Sequence, residues 1–432
     1  MRRILDFPDV IADGSIPAMP PSANRPLHVH ALVALCVLNH VALSGARVAL
    51  ALQALRLGVP SLGLALMLAP FALTSTLAAL PLGRCVDRIG ARVPALAGMA
   101  LTTIALAVAA WRPQVVVLTT AAALIGSGYT ASLIALQSEL ARDRDERERA
   151  AGFAGFAIGT AASGGIGPFL AGQCMALAGV HAAFGMLALV SFAAWCGSAA
   201  NAHRLISTRA TTSDARPALF SRATFAGLGV LRRLMLADLA MAFAWNANGF
   251  VVPLVAQRHG WPADIVGNLL GCFGVAVMLV RALPGALRAR GGDWRAITRA
   301  LWISGVVLAL LPLVAGMPGP YVLEALFGCG LGSALPSVLA LIEQRTPPGR
   351  RAEVLGLRQA VLGLGASTLP TALGALVAAT GIVAALLGFG GALLVAGATI
   401  APRVSARTSA SARRSTSPAG TRSPDGARRC PR

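Results

Sequence analysis

Apolar residues in this chain fall in long runs, not in the short alternations of a soluble domain. A helix needs roughly 20 mostly apolar residues to cross a bilayer. Runs of that kind occupy residues 28–53, 61–82, 93–111, 114–138, 150–173, 178–200, 232–256, 263–286, 297–316, 319–343, 353–379 and 381–402. A bilayer offers no water to backbone N–H and C=O groups, so each run is predicted to satisfy them within its own α-helix. The polar stretch 201–231 separates the runs into two sets of six. The pattern predicts an all-α polytopic membrane protein, with twelve transmembrane helices in two pseudo-symmetric six-helix bundles, 28–200 and 232–402. Segment 1–27 precedes them, 201–231 forms a central loop, and the Ser, Arg, Pro and Gly tail 403–432 has nothing to bury and is expected to be disordered.

Composition agrees. Of 432 residues, 56% are hydrophobic and 12% charged, about half the charge of a soluble domain, and the mean hydropathy is +0.70. A disordered chain is excluded, and the composition argues against an ordinary cytosolic enzyme. The net charge of +20 would suggest nucleic acid in a soluble protein, but here it follows topology. With the N-terminus in the cytoplasm, 21 of the 37 arginines fall in inner loops and 11 in the termini, against three in outer loops (Arg56, Arg112, Arg258) and two within spans (Arg47, Arg281). This positive-inside asymmetry puts both termini in the cytoplasm and accounts for the charge without nucleic acid. All basic residues are Arg, as a GC-rich bacterial genome encodes, so the expected location is the cell inner membrane. No apolar signal segment follows Met1-Arg2-Arg3, so the first span is expected to serve as the insertion signal and stay. The seven cysteines are scattered with no CxxC pair, which speaks against a disulfide framework or metal site.

The halves repeat at an offset of 202 residues. Arg56, Gly58 and Pro60 fall on Arg258, Gly260 and Pro262; Gly83, Arg88 and Gly90 on Gly285, Arg290 and Gly292; Gly126 and Gly128 on Gly328 and Gly330; Pro168 and Gly172 on Pro370 and Gly374. Parallel duplication of six spans is a transporter architecture with its site near mid-membrane between the halves.

The loop after the second span reads Gly83-Arg84-Cys85-Val86-Asp87-Arg88-Ile89-Gly90-Ala91-Arg92. It resembles the G-x-x-x-D-R-x-G-x-R signature of the major facilitator superfamily, and the second half carries a degenerate copy with Ala289 in place of Asp87. The resemblance implies that Gly83, Asp87, Arg88, Gly90 and Arg92 form a gate packing cytoplasmic helix ends in the outward-facing state. In the fifth span, Gly167-Pro168-x-x-x-Gly172 resembles the fifth-helix motif of proton-linked antiporters, with Ala154 and Ser163 where that motif has glycines; close helix packing is the alternative. The fourth span lacks the Arg that such antiporters often use in proton coupling.

Charged and polar groups inside spans are costly and mark functional positions. His40, Ser44 and Arg47 are spaced to share one face of the first span, with Asn39 beside them. His40 fits a proton carrier or a hydrogen-bonded core histidine; Arg47 fits a cavity or a snorkelling side chain. In the seventh span Asp238 precedes Trp245, Asn246, Asn248 and Gly249. Asn-Ala-Asn-Gly suggests a local helix break facing a cavity. Trp245 suits stacking on a substrate ring or cation, or packing. Asp238 is the candidate proton-coupling residue, or the partner of Arg281 or a loop arginine. Arg281 and Glu324 sit at interfacial depth. The run 142–149 of alternating charges reads as a solvated loop.

The candidate substrate-binding residues are thus Asn39, His40, Ser44, Arg47, Trp245 and Asn246, with Gly167, Pro168 and Gly172 for helix packing or hinging. The expected function is secondary transport of a small organic solute by alternating access, through proton-coupled efflux. Facilitative or uptake transport is the alternative, and a membrane sensor or intramembrane enzyme the alternative of another class. No GxxxxGK[ST], HExxH or nucleophile elbow occurs, so energy must come from a gradient and no enzyme chemistry is indicated. No cofactor is expected, the bilayer is the surrounding partner, and two halves in one chain permit a monomer.

Overall fold

The computed structural model describes residues 28–141, 146–205, 229–283, 292–346 and 351–400. Segment 1–27, the tail 403–432, most of the central loop, and the charged residues Arg142 to Asp145, Gly285 and Arg290 lie outside the described residues. Eleven helices are described: α1 (Val29–Arg56), α2 (Ser61–Ile89), α3 (Arg92–Trp111), α4 (Val115–Ala141), α5 (Glu146–Ala200), α6 (Gly229–His259), α7 (Ala263–Ala282), α8 (Asp293–Leu310), α9 (Gly319–Arg345), α10 (Arg351–Thr380) and α11 (Ile382–Ile400). The expected fifth and sixth spans are both carried by α5, which bends at Gly179, where φ is 83°. Ten of the helices are long and apolar enough to cross a membrane by length and composition; α8, with Arg295 and Arg299 near its start, carries the expected ninth span.

Helix ends bear out the repeat. Among the described residues six glycines have positive φ: Gly58, Gly90, Gly179, Gly260, Gly292 and Gly381. They form three pairs 202 residues apart, each reversing the chain at the same place in its half. An L side chain is strained in that conformation, whereas glycine is not.

The exterior is apolar. Leu77, Val116, Leu177 and Leu189 are each more than two-thirds exposed, which suits contact with lipid. Hydroxyls inside the bundle bond to carbonyls. Thr74 and Ser75 on α2 lie within hydrogen-bonding distance of carbonyls one turn back and also of Ala123 and Gly126 on α4. Thr76 bridges likewise to Gly363 on α10, at 3.2 Å.

The halves meet in a symmetric way. In one seam α5 packs on α7, in the other α10 packs on α2, and α1 meets α6 between them. A Cβ on Gly172 would collide with the backbone of Gly267, and one on Gly374 with Ala65. These two contacts are the same contact under the 202-residue repeat. Gly165 likewise leaves no room for a side chain against the Gly274 backbone. Small residues let helices approach at backbone distance, which is how membrane helices associate without a hydrophobic driving force.

Candidate functional site

Two cavities lie where α1 and α6 face each other. The first, about 310 Å³, includes His40, Ser44, Arg47, Thr160, Trp245 and Arg281 in its lining. The second, about 410 Å³, includes Ser75, Thr76, Tyr129 and Phe250. Leu43, Arg47, Asn246 and Gly249 line both. The Arg47–Asn246 pair is therefore the partition between them.

Helical spacing sets the wall from α1. His40, Ser44 and Arg47 share the predicted face, and each is anchored. The His40 Nδ1 is 2.6 Å from the Ser163 hydroxyl. The Ser44 hydroxyl donates to the Ser163 carbonyl at 2.8 Å. Both guanidinium Nη atoms of Arg47 point to one acceptor, Asn246 Oδ1, at 3.3 Å each. Arg47 thus faces the cavity instead of snorkelling. Asn39 does not belong to this wall. One residue earlier, it is turned about 100° around the helix, and its amide donates to Ser132 on α4 at 2.7 Å.

The opposite wall comes from α6 and α7. Trp245 lies edge-on to Phe273, with centroids 5.0 Å apart. The Arg281 guanidinium sits over the Trp245 ring, 5.4 Å from its centroid, and donates to the Ala157 carbonyl at 3.2 Å. Arg281 lines the first cavity from the end of α7. The helix break expected at Asn246–Gly249 is absent: α6 runs through it. The asparagine amides find acceptors without unwinding it. Asn246 donates to Ala242 one turn back at 2.7 Å, and Asn248 donates to Glu324 Oε2 at 2.8 Å.

Glu324, near the start of α9, is fully buried behind Asn248. Asp238 is also buried, and its partner is Arg358 on α10: Nε lies 2.6 Å from Oδ2 and Nη2 3.3 Å from Oδ1. Sequence reading placed Arg358 in a loop. Its signal was depth, because Asp238 and Arg358 each lie about six residues into apolar runs entering from the same side. Ser163, the anchor for His40 and Ser44, had no comparable signal.

Most of the signature is not a loop: Gly83 to Ile89 form the last turns of α2, which Gly90 ends at φ 81°, donating its N–H to the Val86 carbonyl at 2.8 Å. Asp87, Arg88 and Arg92 are exposed. They form no ion pair or side-chain hydrogen bond among the described residues. In α5, Pro168 lines the first cavity, Gly167 lies against α1 at Val41 and Ser44, and Gly172 lies against α7.

The family model described as Major Facilitator Superfamily matches residues 32–332 and 234–427. The chain belongs to the major facilitator superfamily. It is a multi-pass secondary transporter and not an enzyme. Solved structures share the fold. The nucleoside transporter NupG, in a mutant form, matches with a TM-score of 0.72 at 15% identity, covering 87% of this chain and 99% of that one. The peptide transporter POT in complex with sulfate gives 0.68 at 15% identity, covering 87% and 94%. The human organic anion transporter MFSD10 (TETRAN) gives 0.60 at 14% identity, covering 86% and 98%. No curated protein sequence matches the chain.

Proposed function

We propose that this superfamily member exports a small organic solute by alternating access, coupled to proton entry. The observation that carries the reading is the Arg47–Asn246 bridge, which joins the two halves at the centre of a cavity that neither half encloses alone. A site shared between rocking halves is exposed to one side and then to the other. The solutes named for the similar folds, a nucleoside, a peptide and an organic anion, support a small organic cargo. The lining residues that bind it are His40, Ser44, Arg47, Trp245 and Asn246. One chain supplies both walls, in keeping with a monomer.

The positive-inside rule places both termini in the cytoplasm. The tight contacts of Gly172 with Gly267 and of Gly374 with Ala65 then fall on the outer side, which supports an inward-facing state. Asp87, Arg88 and Arg92, which have no ion pair among the described residues, fit that state, since their gate closes in the opposite one. Efflux is supported by the Gly167-Pro168-x-x-x-Gly172 sequence of α5. Proton coupling is assigned to Asp238, because protonating this carboxylate would release Arg358 and loosen α6 from α10.

The test is accumulation of a panel of labelled small solutes in cells expressing wild type or Asp238→Asn, with and without a protonophore. Exclusion that needs the wild-type protein and is lost with protonophore or in the mutant supports proton-coupled efflux. Flux that survives both treatments sinks the role of Asp238 and leaves a facilitative carrier. Binding of a solute without any flux would make the protein a sensor.

A further inference from the structure

We infer that the cavity is built for an organic anion, a carboxylate or similar acid on a compact aromatic body, held between Arg47 and Arg281. The inference rests on the transport reading of the same cavity and adds the charge and shape of the cargo.

The charge inventory is one-sided. Arg47 from α1 and Arg281 from α7 line the first cavity, together with His40, and among the described residues neither cavity is lined by a carboxylate. The nearby acids are engaged elsewhere. Asp238 is clasped by Arg358, and Glu324 lies behind Asn248, out of the lining. The Arg47 guanidinium, bonded to a neutral amide oxygen, carries an insertion penalty inside its span, and an anionic cargo supplies a countercharge that offsets it.

The geometry at Arg47 points the same way. Its two Nη atoms share one neutral oxygen at 3.3 Å, a long contact that leaves the planar fork underused. A carboxylate offers an oxygen to each N–H, and such paired charge-assisted bonds are shorter, about 2.7–2.9 Å, and stronger. An anion therefore displaces Asn246 from Arg47. Across the cavity, Trp245 and Phe273 give an aromatic wall, with Arg281 stacked on its Trp face. A volume of about 310 Å³ is at the small end of ligand pockets, roughly 300–1,000 Å³, and suits one or two rings. Because the bond that Arg47 gives up joins α1 to α6, cargo binding also removes a strut between the halves and so favours their separation.

The experiment uses purified full-length protein and three probes with one body and different charge: 2-naphthoate, 2-naphthamide and 2-naphthylmethylammonium. Binding is read from tryptophan fluorescence, and flux from probe-loaded proteoliposomes. The expected result is that naphthoate binds roughly tenfold or more tightly than the other two, the range of one good charge-assisted contact. Arg47→Gln and Arg281→Gln should lose that preference. Arg47→Lys should keep part of it, and Arg258→Gln, on the exposed end of α6, should keep all of it. Melting curves without probe separate a lost site from a lost fold, and the charge series on wild type stands without any variant. Equal binding of the three probes, tighter binding of the amide or ammonium, or no response to naphthoate overturns the assignment. Flux of the ammonium or amide without naphthoate flux overturns the anion class while transport stands. Naphthoate binding without flux keeps the anion site and overturns transport.

Discussion

Arg358 grips Asp238 with two guanidinium nitrogens across the α6–α10 contact, with their side chains 12% and 5% exposed. Breaking a buried pair from one side leaves an uncompensated charge and costs roughly 3–5 kcal/mol. Asp238→Asn and Arg358→Gln are each expected to destabilise the protein on that scale in detergent unfolding. The double variant, with neither charge left at this contact, is expected to recover most of the loss. Single and double variants that prove equally unstable would mean that the two groups do not act as a pair.

Glu324 and Asn248 make a second buried partnership, between α9 and α6, by a single amide-to-carboxylate bond. Glu324→Gln keeps an oxygen for the Asn248 amide and is expected to unfold within about 1 kcal/mol of wild type. Glu324→Leu strands a buried donor and is expected to cost roughly 1–3 kcal/mol. Chemical unfolding of the two variants side by side checks this, and equal costs would exclude the hydrogen bond as the cause.

Asp87 is exposed at the end of α2 and has no ion pair among the described residues. A surface change of this kind normally alters stability by no more than about 0.5 kcal/mol. Asp87→Asn is expected to melt like wild type and yet to slow solute flux in proteoliposomes, because its partners are met only when the inner face closes. Unchanged flux would remove Asp87 from the gate.

Ala65 and Gly374 face each other across the α2–α10 seam. Gly374→Val puts a branched side chain where a Cβ already meets Ala65, and it is expected to slow solute flux in proteoliposomes, while Gly388→Val, at a glycine with open space around it, is expected to leave flux unchanged. Equal flux in the two variants would show that close approach at this seam is not needed for transport.

The fold was legible because the bilayer allows so few solutions. Runs of about 20 apolar residues have to be helices, and glycines at the repeat offset mark where each half turns, as Gly58 and Gly260 do. The face of His40, Ser44 and Arg47 was legible from spacing alone. What they touch was not, since Ser163 is an ordinary small residue until α5 packs on α1. The reading failed at Asn246–Gly249 because polar residues break a membrane helix only when their amides lack acceptors, and here Ala242 and Glu324 supply them. Asn39 failed for a simpler reason, that adjacent residues on a helix face different neighbours.

The glycine contacts between the halves have a mechanical consequence. Interdigitated side chains act as gear teeth, and two helices so meshed must be lifted apart before they can turn. At Gly165 on Gly274 and Gly172 on Gly267 the teeth are missing and bare backbone rests on backbone. Such a surface is a plain bearing, on which one helix can roll against the other while keeping contact. The Gly374–Ala65 contact repeats it across the pseudo-twofold, so the molecule has a bearing on each flank. A bulky side chain in either one would jam the pivot without touching the cargo.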